Sequence, residues 1–191
     1  TRDLSDSREF IGAMTVLATK APAYHTTLVG RDIIWCACGT AATDGIFCYV
    51  DPDFWESLPN DHQRAFLLGH EVGHIVFAHV PRAKVFSLRG WLYKKLGINH
   101  WNPVTYNQAA DKIINADLVA CGLEPIEGAL LSSDVTRDDI TEEVYIRLAE
   151  DEPEQPEQPD QPGEGSDTNP GEEAGDDSGD GSGDESGDES G

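Results

Sequence analysis

No stretch of this 191-residue chain is long and apolar enough to cross a membrane. The opening residues Arg2-Asp3-Leu4-Ser5-Asp6-Ser7 are polar where a secretory leader is basic and then apolar. Cysteine is scarce, with four in all: Cys36, Cys38, Cys48 and Cys121. That number does not suit a disulfide-stapled scaffold, and free thiols in a cytoplasmic protein are the simplest expectation. A structural metal site at Cys36, Cys38 and Cys48 would have an atypical one-residue spacing. On an extended strand Cys36 and Cys38 would point to the same side, poorly placed to bridge each other. Basic residues are few: 13 Lys and Arg against 36 Asp and Glu, a net charge of -23. A broad nucleic-acid-binding face is therefore not expected.

The charge is unevenly spread. Residues 151–191 carry no Lys or Arg and sixteen of the acids, in Pro/Glu/Gln-rich and then Gly/Ser/Asp-rich sequence. Without large apolar side chains this segment cannot offset the entropy of folding, and it is expected to be a disordered acidic tail. It could serve a protein partner, mimic DNA, or cover the basic segment described below. Residues 1–150 hold the remaining acids against all 13 bases and read as one domain.

Within that domain, residues 5–20 place Phe10, Ile11, Met14 and Leu17 at helical spacing, with Pro22 as the stop. Thr26–Val29, Ile33–Cys38 and Ile46–Val50 read as strands, and residues 30–32 and 42–45 as turns. A helix runs from about Asp61 to Val80, capped by Asn60 or Asp61 and stopped by Pro81. Residues 82–100 form a basic, aromatic insert with a short helix. It would be a lid or simply a solvated face. Thr105–Cys121 is a helix ending at Gly122, and Arg137–Glu150 is another.

The residues that carry chemistry are His70-Glu71-Val72-Gly73-His74. On a helix the two histidines, four apart, share a face and can reach one ion. Glu71 stands beside the first ligand, where it can take a proton from an activated water. The apolar flanks make this a buried helix, and buried polar groups need partners. A catalytic zinc needs a third protein ligand and an open position. His79 lies nine residues after His70, about half a turn off the ligand face if the helix continues, and reads as structural. His62 is too far along the helix, while His25 and His100, in loops, stay open. In the later helix Asn107, Asp111 and Asn115 form a polar stripe at i, i+4 and i+8. Asp111 is its acid and the expected third ligand. Asp117 is the runner-up, and Asp111 as a hydrogen-bond partner of a ligand histidine is the other reading. Tyr106, His100 and Arg82 are candidates for stabilising the oxyanion. The strand Ile46–Val50 would be the sheet edge that receives an extended peptide.

The spacing His70-Glu71-x-x-His74-x-x-x-x-His79 with Arg82, followed by Asn107-x-x-Ala110-Asp111-x-x-Ile114-Asn115, resembles a metallopeptidase domain family. Its members often precede a von Willebrand A-like domain in bacterial and phage proteins. The likeness extends from Thr43-Asp44-Gly45 and Asp51-Pro52 to Glu127-Gly128-Ala129-Leu130 and Thr141–Tyr145. It implies an α+β, zincin-like fold with a small mixed or antiparallel sheet packed on the motif helix. It also implies one Zn²⁺ held by the two histidines and an acid of the later helix, peptide hydrolysis, and the cytoplasm of a bacterium or phage-infected host. The segment between the two motif helices is long and basic in this chain, and an acidic segment stands where the von Willebrand A-like region would be.

Overall fold

The computed structural model describes residues 2–89, 95 and 101–151. The acidic segment from 152 onward and most of the insert, including Trp91, Tyr93, Lys94 and His100, lie outside the described residues. Those described form an α+β fold of seven helices and one three-stranded mixed sheet. None of the helices is long and apolar enough to cross a membrane.

Helix α1 (Arg8–Lys20) starts where the Ser7 hydroxyl accepts from the Phe10 amide. Pro22 ends it and at once begins α2 (Pro22–Val29), because proline fits the first turn of a helix. The expected strand at Thr26–Val29 is thus helical. Tyr24 and Leu28, four apart, bury one face, and the Thr26 and Thr27 hydroxyls bond back to the carbonyls of Pro22 and Ala23. Tertiary burial and the proline outweigh the β-preference of threonine and valine.

The strands are short: β1 (Ile33–Trp35), β2 (Ala41–Thr43) and β3 (Cys48–Val50). Cys36 and Cys38 therefore lie beyond the end of β1, in a turn closed by the Cys38 amide on the Cys36 carbonyl. All four cysteines are free. The expected turn at 42–45 is partly strand, since Ala42 and Thr43 belong to β2. The sheet order is β1-β3-β2, with β3 parallel to β1 and antiparallel to β2. Residues 46–50 therefore do not supply the edge: β3 is the central strand, and β2 is the edge nearer the motif helix.

Asp51 caps α3 (Pro52–Ser57), a helix the sequence reading did not anticipate. The motif helix α4 (Asp61–Val76) is capped by Asn60 and is buried almost continuously from Arg64 to His74. It packs on α1 and on α6 (Pro103–Ala120). Gly69 and Gly73 make the second contact possible. A Cβ at Gly73 would lie 2.7 Å from Ile114 Cγ2, and one at Gly69 would lie 2.9 Å from Leu118 Cδ2.

Helix α4 stops four residues short of the expected Val80. Ala78 adopts a left-handed conformation (φ 54°), and a separate helix α5 (His79–Ser87) follows. Pro81 is not the stop. It sits in the first turn of α5, where its missing N–H costs no helical bond. The last helix, α7 (Thr141–Glu150), begins four residues later than expected. Helix α6 joins two cores. Ile114 and Leu118 face the main one with α1 and α4, whereas Ala109 and Ile113 face a second one with Phe86, Val144 and Tyr145.

Candidate metal centre

The polar stripe of α6 faces α4 across a cleft of about 590 Å³. His70, Glu71, His74, Asn107, Asp111 and Asn115 all line it. His70 Nε2 and His74 Nε2 are 3.4 Å apart, and Asp111 Oδ1 lies 3.5 Å from the first and 3.2 Å from the second. Ligand atoms about 2.0–2.1 Å from a tetrahedral ion sit about 3.4 Å from one another. The triangle therefore has the dimensions of one face of such a coordination shell. Among the described residues these three form the group that could hold a metal ion.

Hydrogen-bond logic supports the fit. Asn115 Nδ2 donates to the Leu130 carbonyl at 2.9 Å, and a carbonyl only accepts. The Asn115 oxygen must then be the atom 2.8 Å from His70 Nδ1, so His70 donates there. A neutral His70 consequently turns the lone pair of Nε2 into the triangle. Asp111 Oδ1 is buried and lacks a hydrogen-bond partner, its short approaches to the two rings counting as ion pairs only if a ring is protonated. A ring lone pair and a carboxylate oxygen facing one point call for a cation.

The electrostatics agree. Burial opposes a charge on His70, but Asp111, Glu71 and the Asn115 contact outweigh it and raise its pKa. Burial likewise acts against the Asp111 anion, yet the His70 and His74 rings beside it, which favour the anion whenever they carry a proton, bring its pKa down to about 2. Glu71 is only 6 % exposed. Burial lifts its pKa, Asp111 adds to the lift, and the two histidines partly offset it.

His79 does not join the triangle. It sits behind His74, its Nδ1 3.3 Å from His74 Nδ1, and its Nε2 is 3.1 Å from Thr141 Oγ1. Burial, His74 and Arg82 push its pKa down to about 3, so the ring is neutral. Asn107 donates to Asp111 Oδ2 at 3.1 Å.

Other expected residues lie elsewhere. Arg82 pairs with Glu142 and donates to the Phe77 carbonyl, and the Tyr106 hydroxyl also meets Glu142, at 3.3 Å. Neither lines the cleft, because α7 draws both away from it. Asp117, the alternative ligand, is held by the Tyr24 hydroxyl at 2.5 Å and by Arg137 at 2.7 Å. Six residues, about one and two-thirds turns, separate it from Asp111 on α6, so it faces α2 instead. His25 is in α2 and is not part of the triangle.

The sequence reading missed the cleft walls. One wall is Thr40–Thr43, and another is Ile126–Leu130, with Phe54 and Phe66 also lining the cleft. Thr43 and Glu127–Leu130 belong to the family likeness, but nothing local marks them as walls, since they are brought together by sheet order and by the loop after α6. The contact of Thr141 with His79 was also missed. Its one signal was its place in the family likeness.

Fold and site together define an α+β domain whose central helix brings two histidines, and a neighbouring helix one aspartate, into a group that could hold a metal ion. The chain belongs to the family described as "Putative metallopeptidase domain", whose model matches residues 5–190. No curated protein and no solved structure matches it.

Proposed function

We propose that this chain is a zinc-dependent endopeptidase of zincin-like fold, with a peptide or protein as substrate. The observation that carries the reading is the triangle of His70, His74 and Asp111, 3.2–3.5 Å on each edge, beside Glu71 in an open cleft. Two imidazoles and one carboxylate leave a fourth position free, the ligand set of a catalytic rather than a structural zinc. When bound, the ion supplies a Lewis acid that acidifies a water and polarises the scissile carbonyl.

The protein's own groups do the rest. Glu71, held in an apolar setting that raises its pKa, takes a proton from water at its carboxylate and later passes it to the leaving amine. Asp111 and the two imidazoles keep their positions through partners behind them. The edge strand β2 orients the substrate. Thr40 accepts from the Asp51 amide, so by antiparallel alternation Thr40 and Ala42 face β3. The backbone groups of Ala41 and Thr43 then point outward, and four consecutive residues of this segment line the cleft. They are the rungs on which an extended peptide would pair. Asn107 gives one amide hydrogen to Asp111 and has a second for the substrate carbonyl oxygen.

Metal content of purified wild type, measured beside His74→Ala and Asp111→Ala, tests the site. About one zinc per chain, lost in both variants, is expected. A peptide library then tests catalysis. Glu71→Gln should keep its zinc and lose hydrolysis. Turnover in that variant would remove Glu71 from its role, and a zinc-loaded wild type that cleaves no peptide would make the chain a metal-binding docking protein.

A further inference from the structure

We propose that His79 is a positioning residue, which holds His74 in the tautomer and ring orientation that present Nε2 to the metal, and which is itself anchored by Thr141. The inference rests on the metal site proposed above and extends it to a third histidine and a further helix.

The donor and acceptor sequence has one direction that is compatible with ligation. If His74 Nε2 offers a lone pair to an ion, the hydrogen of a neutral His74 is on Nδ1. His79 Nδ1, 3.3 Å away, must then accept it. A neutral His79 so engaged carries its own hydrogen on Nε2 and donates it to Thr141 Oγ1 at 3.1 Å. In the reverse direction Thr141 donates to His79, His79 donates to His74, and a hydrogen on His74 Nε2 points into the triangle and blocks the ion. Metal binding and the direction of this relay are therefore coupled.

The backbone is built around the contact. His79 would point away from His74 if α4 continued, but the left-handed Ala78 ends α4 and starts α5 with His79 turned back behind His74. A non-glycine residue in that conformation carries local strain, which persists where surrounding structure holds it. His79 is 3 % exposed and Thr141 2 %, so water does not compete for either bond. Phe77 stacks on the His79 ring with centroids 5.5 Å apart and planes at 21°, which limits its rotation. His70 has an equivalent arrangement from a different source, Asn115 on α6. Each ligand imidazole is thus oriented from behind by its own partner.

The test uses the full chain and two readouts that do not depend on activity: Zn²⁺ affinity by chelator competition and the visible spectrum of the Co²⁺-loaded protein. His79→Phe keeps a flat ring but neither accepts nor donates. His79→Gln keeps one acceptor and one donor. Thr141→Val keeps shape and removes the terminal oxygen. His79→Phe is expected to weaken Zn²⁺ binding about 10–100-fold and to alter the Co²⁺ spectrum, and Thr141→Val to weaken binding less, in the same direction. His79→Gln should recover most of the loss. Wild-type affinity and spectrum in both His79→Phe and Thr141→Val would overturn the proposal. So would equal losses in His79→Gln and His79→Phe, which would make His79 a packing residue. Should His79→Phe fail to fold, Thr141→Val decides alone. A wild type that binds neither metal overturns the metal site itself, and this inference with it.

Discussion

Asn115 connects His70 to a wall of the cleft: its oxygen accepts from His70 Nδ1 at 2.8 Å while its nitrogen donates to the Leu130 carbonyl at 2.9 Å. One side chain on α6 thereby sets the tautomer of His70, a proposed ligand, and bonds the 126–130 loop. Asn115→Ala removes both bonds and leaves the His70 donor without its partner. Zinc affinity should fall about 10–100-fold, as it does when partners behind metal ligands are removed. Asn115→Asp can still accept from His70 but cannot donate to Leu130. It should keep more of the zinc affinity while raising KM for peptides. Chelator competition and steady-state kinetics check the two halves separately.

Gly73 permits the approach that places Asp111 beside the two histidines. A Cβ there would meet Ile114 Cγ2 at 2.7 Å and Cγ1 at 3.1 Å, and Ile114 is fully buried. Gly73→Ala should destabilise the domain by about 1–3 kcal/mol through overpacking, and zinc affinity should fall with it as α6 moves away. Ile114→Ala alone should cost about 2–5 kcal/mol by leaving a cavity. The double variant should cost less than the two together, because the new methyl enters the space the isoleucine vacated. Urea denaturation of the four proteins tests this, and strict additivity would count against the contact.

Ala78 is the described non-glycine residue with a positive φ. The left-handed region costs such a residue about 1–2 kcal/mol, part of which glycine would return as greater freedom of the unfolded chain. Ala78→Gly should therefore raise stability, by about 0.5–1 kcal/mol. Ala78→Val should lower it, since a β-branched side chain tolerates this conformation worse. Thermal melts of the two variants should move in opposite directions.

Asp51 organises the chain between the sheet and α3. Its carboxylate accepts from the amides of Gly39 at 2.7 Å, Asp53 at 2.9 Å and Phe54 at 3.2 Å. These bonds, Gly39's first, hold its pKa below the ordinary 3.8. The folded state thus binds the proton less readily than the unfolded chain. The stabilisation is complete above the ordinary value and is lost as pH falls through the folded one. Asp51→Asn should be less stable than wild type at neutral pH and show a flatter decline below about pH 4. Denaturation midpoints across pH 2–7 would show the difference, and parallel curves would exclude this contribution.

Much of the candidate site could be read locally. The spacing of His70 and His74, and of Asn107, Asp111 and Asn115, places each set on one helical face through backbone periodicity alone. Asn60 and Gly122 mark helix ends because their local chemistry suits those positions. Where the local preference was weak or conflicting, packing decided. Thr26–Val29 has β-branched residues, yet Pro22 and the burial of Tyr24 and Leu28 make it helical. Ala42 and Thr43 look like turn residues, yet β3 recruits them as an edge strand.

Sequence by itself determined that one helix would present two histidines and a glutamate, and that a second helix would present a polar stripe. The stripe also favoured Asp111 over Asp117. Tertiary structure alone decided that Asp111 Oδ1 comes within 3.5 Å of both ring nitrogens, that β2 and not β3 is the strand beside them, and that His79 turns back onto His74. The reason is range. Helical faces follow from residues three and four apart, whereas these outcomes depend on contacts between α4 and α6, on strand order, and on one left-handed residue, none of which has a local signature.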